Sequence, residues 1–89
     1  MNGCRMSTAS RSPILCPDVG VPAPRFSLWY VRVGEQLFIG DRIAELLVDG
    51  ATIDIAASES GTLVQRLARP DDVLTPGQIL GIIETDDPR

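Results

Sequence analysis

The chain has no histidine and no lysine; all eight of its basic side chains are arginine. Without His, and with only Cys4 and Cys16, a single chain cannot assemble a zinc site or a Cys–His nucleophile pair. Without Lys it offers no side-chain amine for a Schiff base or an amide-linked cofactor. Arg is no substitute, because its guanidinium stays protonated. Two cysteines argue against a disulfide framework, and Cys16, at the edge of an apolar run, reads as a small buried hydrophobe. Aromatic residues make up only 4%, so the core must come from Val, Ile, Leu and Ala. No apolar run approaches the roughly 18 residues that span a bilayer, so no membrane insertion is expected. A net charge of −4 argues against nucleic acid, which demands clustered basic side chains. With no signal-peptide core in the first residues, the expectation is a cytoplasmic protein.

Eighty-nine residues make one small domain. Residues 1–12 are polar and rich in Ser and Arg, and read as a disordered tail; residues 13–86 form the domain, and 87–89 a second tail. The strongest local signal is Asp49-Gly50, since a type I′ hairpin turn needs positive φ at both central positions. With that turn, facing residues have numbers that add to 99. Val48 then faces Ala51, Leu46 faces Ile53 and Ala44 faces Ile55 on one side, with Leu47–Thr52 and Glu45–Asp54 on the other. Further strand candidates are Ile14–Cys16, Phe26–Val33, Leu37–Ile39, Thr62–Ala68 and Gln78–Thr85. No segment of ten residues shows a helical period free of Gly or Pro. The chain reads as all-β.

The spacing Leu37-x-x-Gly40-x-x-Ile43-x-x-Leu46 recurs as Leu74-x-x-Gly77-x-x-Leu80-x-x-Ile83, an offset of 37 residues. Two copies of one half-domain predict a pseudo-two-fold sandwich or flattened barrel. Carrying the hairpin register across the repeat puts Cys16 opposite Ile83 and Ile14 opposite Thr85, with both terminal strands in one sheet.

Several spaced motifs then coincide with one family. Trp29-Tyr30-Val31-Arg32-Val33-Gly34-Glu35, Gly40-Asp41, Asp49-Gly50-Ala51-Thr52, Ser60-Gly61-Thr62-Leu63 and Pro76-Gly77-Gln78-Ile79-Leu80 occur in the order of the lipoyl domains. Pro17-Asp18-Val19-Gly20 is similar to that family's opening Pro-x-Leu-Gly. From Pro13 to Asp86 the chain resembles a lipoyl domain rather than a biotinyl one, whose hairpin usually reads Met-Lys-Met. The resemblance implies a barrel-sandwich hybrid of two four-stranded antiparallel sheets. It also implies kinship with the acyltransferase components of 2-oxo-acid dehydrogenase complexes, whose lipoyl group is carried on a hairpin Lys. Here the family's Asp-Lys-Ala is Asp49-Gly50-Ala51. The attachment position holds Gly50, so neither lipoate nor biotin can be joined through a lysine of this chain.

The functional expectation is therefore a domain that is not an enzyme: a structural or docking module whose partners belong to a 2-oxo-acid dehydrogenase or another acyltransfer complex. Two alternatives stay open, an assembly domain of a transport or secretion adaptor and an acyl carrier whose Lys has been replaced in this particular chain. Glu45, Asp49, Asp54 and Glu59 are candidates for an acidic rim that docks a basic partner; a merely solvated charged face is the plainer reading. Opposed Glu45 and Asp54 should repel unless exposed or countered by an Arg. Trp29 is expected in the core. Asp71-Asp72 and Asp86-Asp87 read as a turn and a tail, with no partner that would make them catalytic.

Overall fold

The computed structural model describes residues 10–21 and 23–85. They contain seven strands and no helix: β1 (Ser10–Leu15), β2 (Arg25–Trp29), β3 (Gln36–Leu37), β4 (Arg42–Val48), β5 (Ala51–Ala56), β6 (Gly61–Arg66) and β7 (Ile79–Thr85). One sheet has the order β1-β7-β6-β3 and the other β2-β4-β5, with every pair antiparallel. The inner faces bury Phe26, Leu37, Ile43, Leu46, Leu63, Leu74, Leu80 and Ile83 as one core of a flattened sandwich. Aliphatic side chains supply almost all of it, as the shortage of aromatics requires.

The β4–β5 hairpin has the register its turn dictates. Val48 faces Ala51, Leu46 faces Ile53, Ala44 faces Ile55 and Glu45 faces Asp54. Asp49 (φ 51°) and Gly50 (φ 83°) both occupy the left-handed region that a type I′ turn needs.

The 37-residue repeat is present in the backbone. β4 and β7 are equivalent residue by residue, and the bulge between Phe26 and Leu28 reappears between Leu63 and Gln65. Asp71 N donates to Phe26 O and Gly34 N to Leu63 O; Asp72 N donates to Arg69 O and Glu35 N to Arg32 O. Each bond has its twin 37 residues away.

Four expectations need correction. The second sheet has three strands rather than four, its fourth place being taken by a lone bridge between Arg25 and Val73. That bridge is the twin of Gln36–Thr62 in β3–β6. The adjoining Leu37–Gly61 pair has Leu74–Pro24 as its counterpart; Leu74 N still donates to Pro24 O at 2.7 Å, but proline has no N–H to return. The ladder stops there.

The terminal strands do pair in one sheet, but the register is four residues from the expected one. Ser12 faces Ile83 and Ile14 faces Gly81. No tight turn joins β1 to β7, so nothing local fixes their register, and an even slip keeps the same face inward. Ile14 and Cys16 remain buried.

The slip also draws Ser10–Ser12 into the sheet, so β1 starts inside the stretch expected to be a tail. Residues 1–9 and 86–89 of the expected tails and domain boundary lie outside the described residues. Finally, the strands expected over Phe26–Val33 and Thr62–Ala68 end at Trp29 and Arg66. Beyond those points the chain crosses from one sheet to the other, burying Val31 and Ala68 on the way.

Candidate functional site

The hairpin tip is the point the sequence singles out. Asp49, Gly50 and Ala51 are exposed, whereas Val48 just inside the turn is buried. A side chain at Gly50 would meet nothing within 4 Å, so the tip has room for a substituent even though φ there is +83°. What it lacks is a nucleophile: Asp49, Gly50 and Ala51 present a carboxylate, a hydrogen and a methyl group. No amine stands where a carrier hairpin would hold its cofactor, so the residues present do not fit amide-linked lipoate or biotin.

The four acidic candidates do not form one rim. Asp49 sits at the turn. Glu45 and Asp54 face each other on the outer side of β4–β5, four residues along β4 from Asp49, or about 13 Å at roughly 3.3 Å per residue. Glu59 follows β5 at the opposite end of the hairpin, where it accepts a 2.8 Å hydrogen bond from Ser12 Oγ.

Glu45 and Asp54 belong instead to a compact network. The Tyr30 hydroxyl lies 2.9 Å from Glu45 Oε1 and 3.0 Å from Asp54 Oδ1, and its single proton serves both carboxylates in turn. Ser27 Oγ donates to Glu45 Oε2 at 2.9 Å. Arg42 pairs with Asp54 at 3.2 Å and lies 5.8 Å from the Tyr30 ring centroid. The opposed carboxylates are thus countered by one guanidinium and two hydroxyl groups. The hydrogen bond to Glu45 is the main reason that the Tyr30 phenol is pushed up to about 12; loss of hydration and Asp54 add to it.

Trp29 is half-buried against the core, with its ring 5.1 Å from that of Phe26 and its Nε1 donating to Ala68 O. Its outer edge helps to line a shallow groove with Leu28, Arg66, Ala68, Arg69 and Pro70. Cys16 is buried, and burial pushes its thiol up, away from the thiolate form a nucleophile needs. Asp71 lies in the turn expected for it and Asp72 accepts from the backbone of Arg69 at 2.9 Å; Asp86 and Asp87 lie outside the described residues. Among the described residues no group of three or more His, Cys, Asp or Glu is placed to hold a metal ion. No helix of the structure is long and apolar enough to cross a membrane. Sequence reasoning missed Tyr30 and Arg42. The cross-strand Glu45–Asp54 pair was the signal that two opposed carboxylates needed donors beside them.

A two-sheet sandwich with a 37-residue internal repeat and one exposed type I′ hairpin defines a biotinyl/lipoyl-type domain. The chain belongs to the family described as biotin-requiring enzyme (biotin/lipoyl), whose model matches residues 12–83. It is similar to the dihydrolipoyllysine-residue succinyltransferase component of the 2-oxoglutarate dehydrogenase complex of Staphylococcus saprophyticus, with 28% identity over 74 residues, 75% of this chain. It is also similar to the lipoamide acyltransferase component of the branched-chain alpha-keto acid dehydrogenase complex of Pseudomonas putida, with 29% identity over 75 residues, 82% of this chain. The chain spans 18% of the length of each of these relatives. Its fold matches the solution structure of the lipoyl domain of the 2-oxoglutarate dehydrogenase complex from Azotobacter vinelandii. The TM-score is 0.67 at 18% sequence identity, covering 83% of this chain and 95% of that one.

Proposed function

We propose that this chain is a lipoyl-type domain that carries neither lipoate nor biotin and acts as a non-catalytic structural or docking module beside a 2-oxo-acid dehydrogenase or related acyltransfer system. One observation supports this above the others. The type I′ turn at Asp49-Gly50 is intact, while the chain holds no lysine at its tip or anywhere else. The carrier scaffold is kept and the attachment chemistry is gone. The kinship with acyltransferase components supports the choice of system. The lack of a carrier amine, together with a buried Cys16, supports a role in contact rather than in group transfer.

Intact mass tests it. Expressed with active lipoyl and biotin ligases, the unaltered chain should show its unmodified mass. A Gly50→Lys variant, given the open space at that position, should gain the lipoyl adduct at least in part. The left-handed φ costs a lysine about 1 kcal/mol, which an exposed turn can relieve by relaxing toward type I. Stoichiometric lipoylation of the unaltered chain would refute the proposal.

A further inference from the structure

The internal repeat supplies a control for judging which exposed residues the fold itself requires. The turn Phe38-Ile39-Gly40-Asp41 and its twin Thr75-Pro76-Gly77-Gln78 are built the same way. Phe38 N donates to the Asp41 carboxylate at 2.9 Å, as Thr75 N does to the Gln78 side-chain oxygen. Asp41 N donates back to Phe38 O and Gln78 N to Thr75 O, both at 2.9 Å. Gly40 N donates to Ala57 O and Gly77 N to Cys16 O, and both glycines have φ near +90°. The backbone of this turn therefore forms equally well on Thr-Pro.

Phe38 and Ile39 are nevertheless 60% and 69% exposed. They are adjacent in the turn, and no fold requirement accounts for two large apolar groups held in water there. Their presentation is rigid: besides the bonds above, Ile39 N donates to Ser60 Oγ at 3.1 Å. Apolar side chains on a backbone already held in place leave less chain to be ordered when they are covered, which suits an anchor at a protein interface. Among the described residues, the charges beside the pair that no ion pair neutralises are acidic. Asp41 lies in the same turn and Glu59 adjoins Ser60, while Arg42 is tied to Asp54 on the outer face.

Building on the docking role put forward above, we propose that the Phe38-Ile39 turn is the docking surface of this domain. Its occupant is a component of a 2-oxo-acid dehydrogenase complex that offers an apolar cleft rimmed by basic side chains. The surface lies at the end of the sandwich remote from the Asp49-Gly50 turn, because Phe38–Asp41 leads into the start of β4 at Arg42 and the turn follows its far end at Val48. Docking at this end is independent of any group on the hairpin tip.

Binding of the folded domain to the purified dehydrogenase and acyltransferase components of such a complex from the source organism, followed by calorimetry, tests the assignment. The Phe38→Thr, Ile39→Ser double variant takes the twin's residue at position 38 and keeps the amide that Pro76 lacks, and circular dichroism checks that it folds. The wild-type chain should bind one component. The double variant should lose at least tenfold in affinity, Glu59→Gln should weaken binding and flatten its salt dependence, and Leu28→Ser on the other sheet should change nothing. Undiminished binding by the double variant, or an equal loss in Leu28→Ser, overturns the docking surface while leaving the docking role intact. A wild-type chain that binds neither component overturns both. A wild-type chain that sediments as a dimer, and becomes a monomer in the double variant, makes a second copy the occupant and overturns the proposed partner.

Discussion

Trp29 Nε1 donates to the carbonyl of Ala68 at 2.9 Å, and its counterpart by the internal repeat, Arg66, donates to the carbonyl of Val31 at 3.3 Å. An indole and a guanidinium thus do the same work in the two halves. Each satisfies a carbonyl of a buried residue, Ala68 or Val31, where the chain changes sheets. A long side chain with a terminal N–H is what the position needs, and either chemistry provides it.

Removing the indole donor while keeping an aromatic ring should be costly. Trp29→Phe leaves the Ala68 carbonyl without this donor and loosens the contact with Phe26. A loss of about 1–3 kcal/mol is expected for an unsatisfied part-buried acceptor. Urea denaturation followed by circular dichroism measures it; a change below about 0.5 kcal/mol would show that solvent replaces the indole without penalty.

Two glycines should respond to alanine for different reasons. At Gly61 a Cβ would run into the backbone carbonyl of Glu84 and lie 2.9 Å from Thr85 Cα, neither of which is a flexible side chain. Gly61→Ala should therefore destabilise by about 1–3 kcal/mol or more, through forced separation of β6 from β7. Gly50→Ala meets no atom and should cost only the left-handed φ, about 1 kcal/mol. Thermal melts of the two variants should rank in that order.

The chain contains a single tyrosine, so its ionisation can be followed directly by ultraviolet absorbance. Tyr30 should titrate near 12 in the folded protein and near 10 in urea. Because the folded value is the higher, its contribution to stability is complete below about pH 10 and lost as pH rises towards 12. Glu45→Gln removes the principal cause and should bring the folded value down. An unchanged titration in that variant would mean that the hydrogen bond is not its origin.

Hairpin chemistry was fully legible in the sequence, because Asp49-Gly50 fixes a turn and the turn fixes every pair down to Ala44–Ile55. The repeat was legible as well, since its Leu, Gly and Ile positions mark the same turns in both halves. What escaped reading was set by contacts between distant segments. Ser12 rather than Cys16 faces Ile83, because a strand that no turn restrains takes its register from packing. Pro24 cut the fourth strand to one bridge, an effect visible only once its partner Leu74 is known. At the acidic positions the sequence showed charge but not company: Glu45 and Asp54 share Tyr30, while Asp49 and Glu59 stand at opposite ends of the hairpin.

The unequal fastening of β1 and β5, one edge strand from each sheet, has a consequence for the order of assembly. β5 is tied to β4 across two residues, whereas β1 meets β7 only after the chain has brought Ser10 to Thr85. Closing the longer loop costs about 3 kcal/mol more in chain entropy. The hairpin can therefore zip early, and β1 docks late and detaches first. Each detachment uncovers the edge of β7, with its run of Ile79, Leu80, Ile82 and Ile83, as a template for another strand. Amide exchange faster in β1 than in β5 would be the signature, and an aggregate seeded on β7 its hazard.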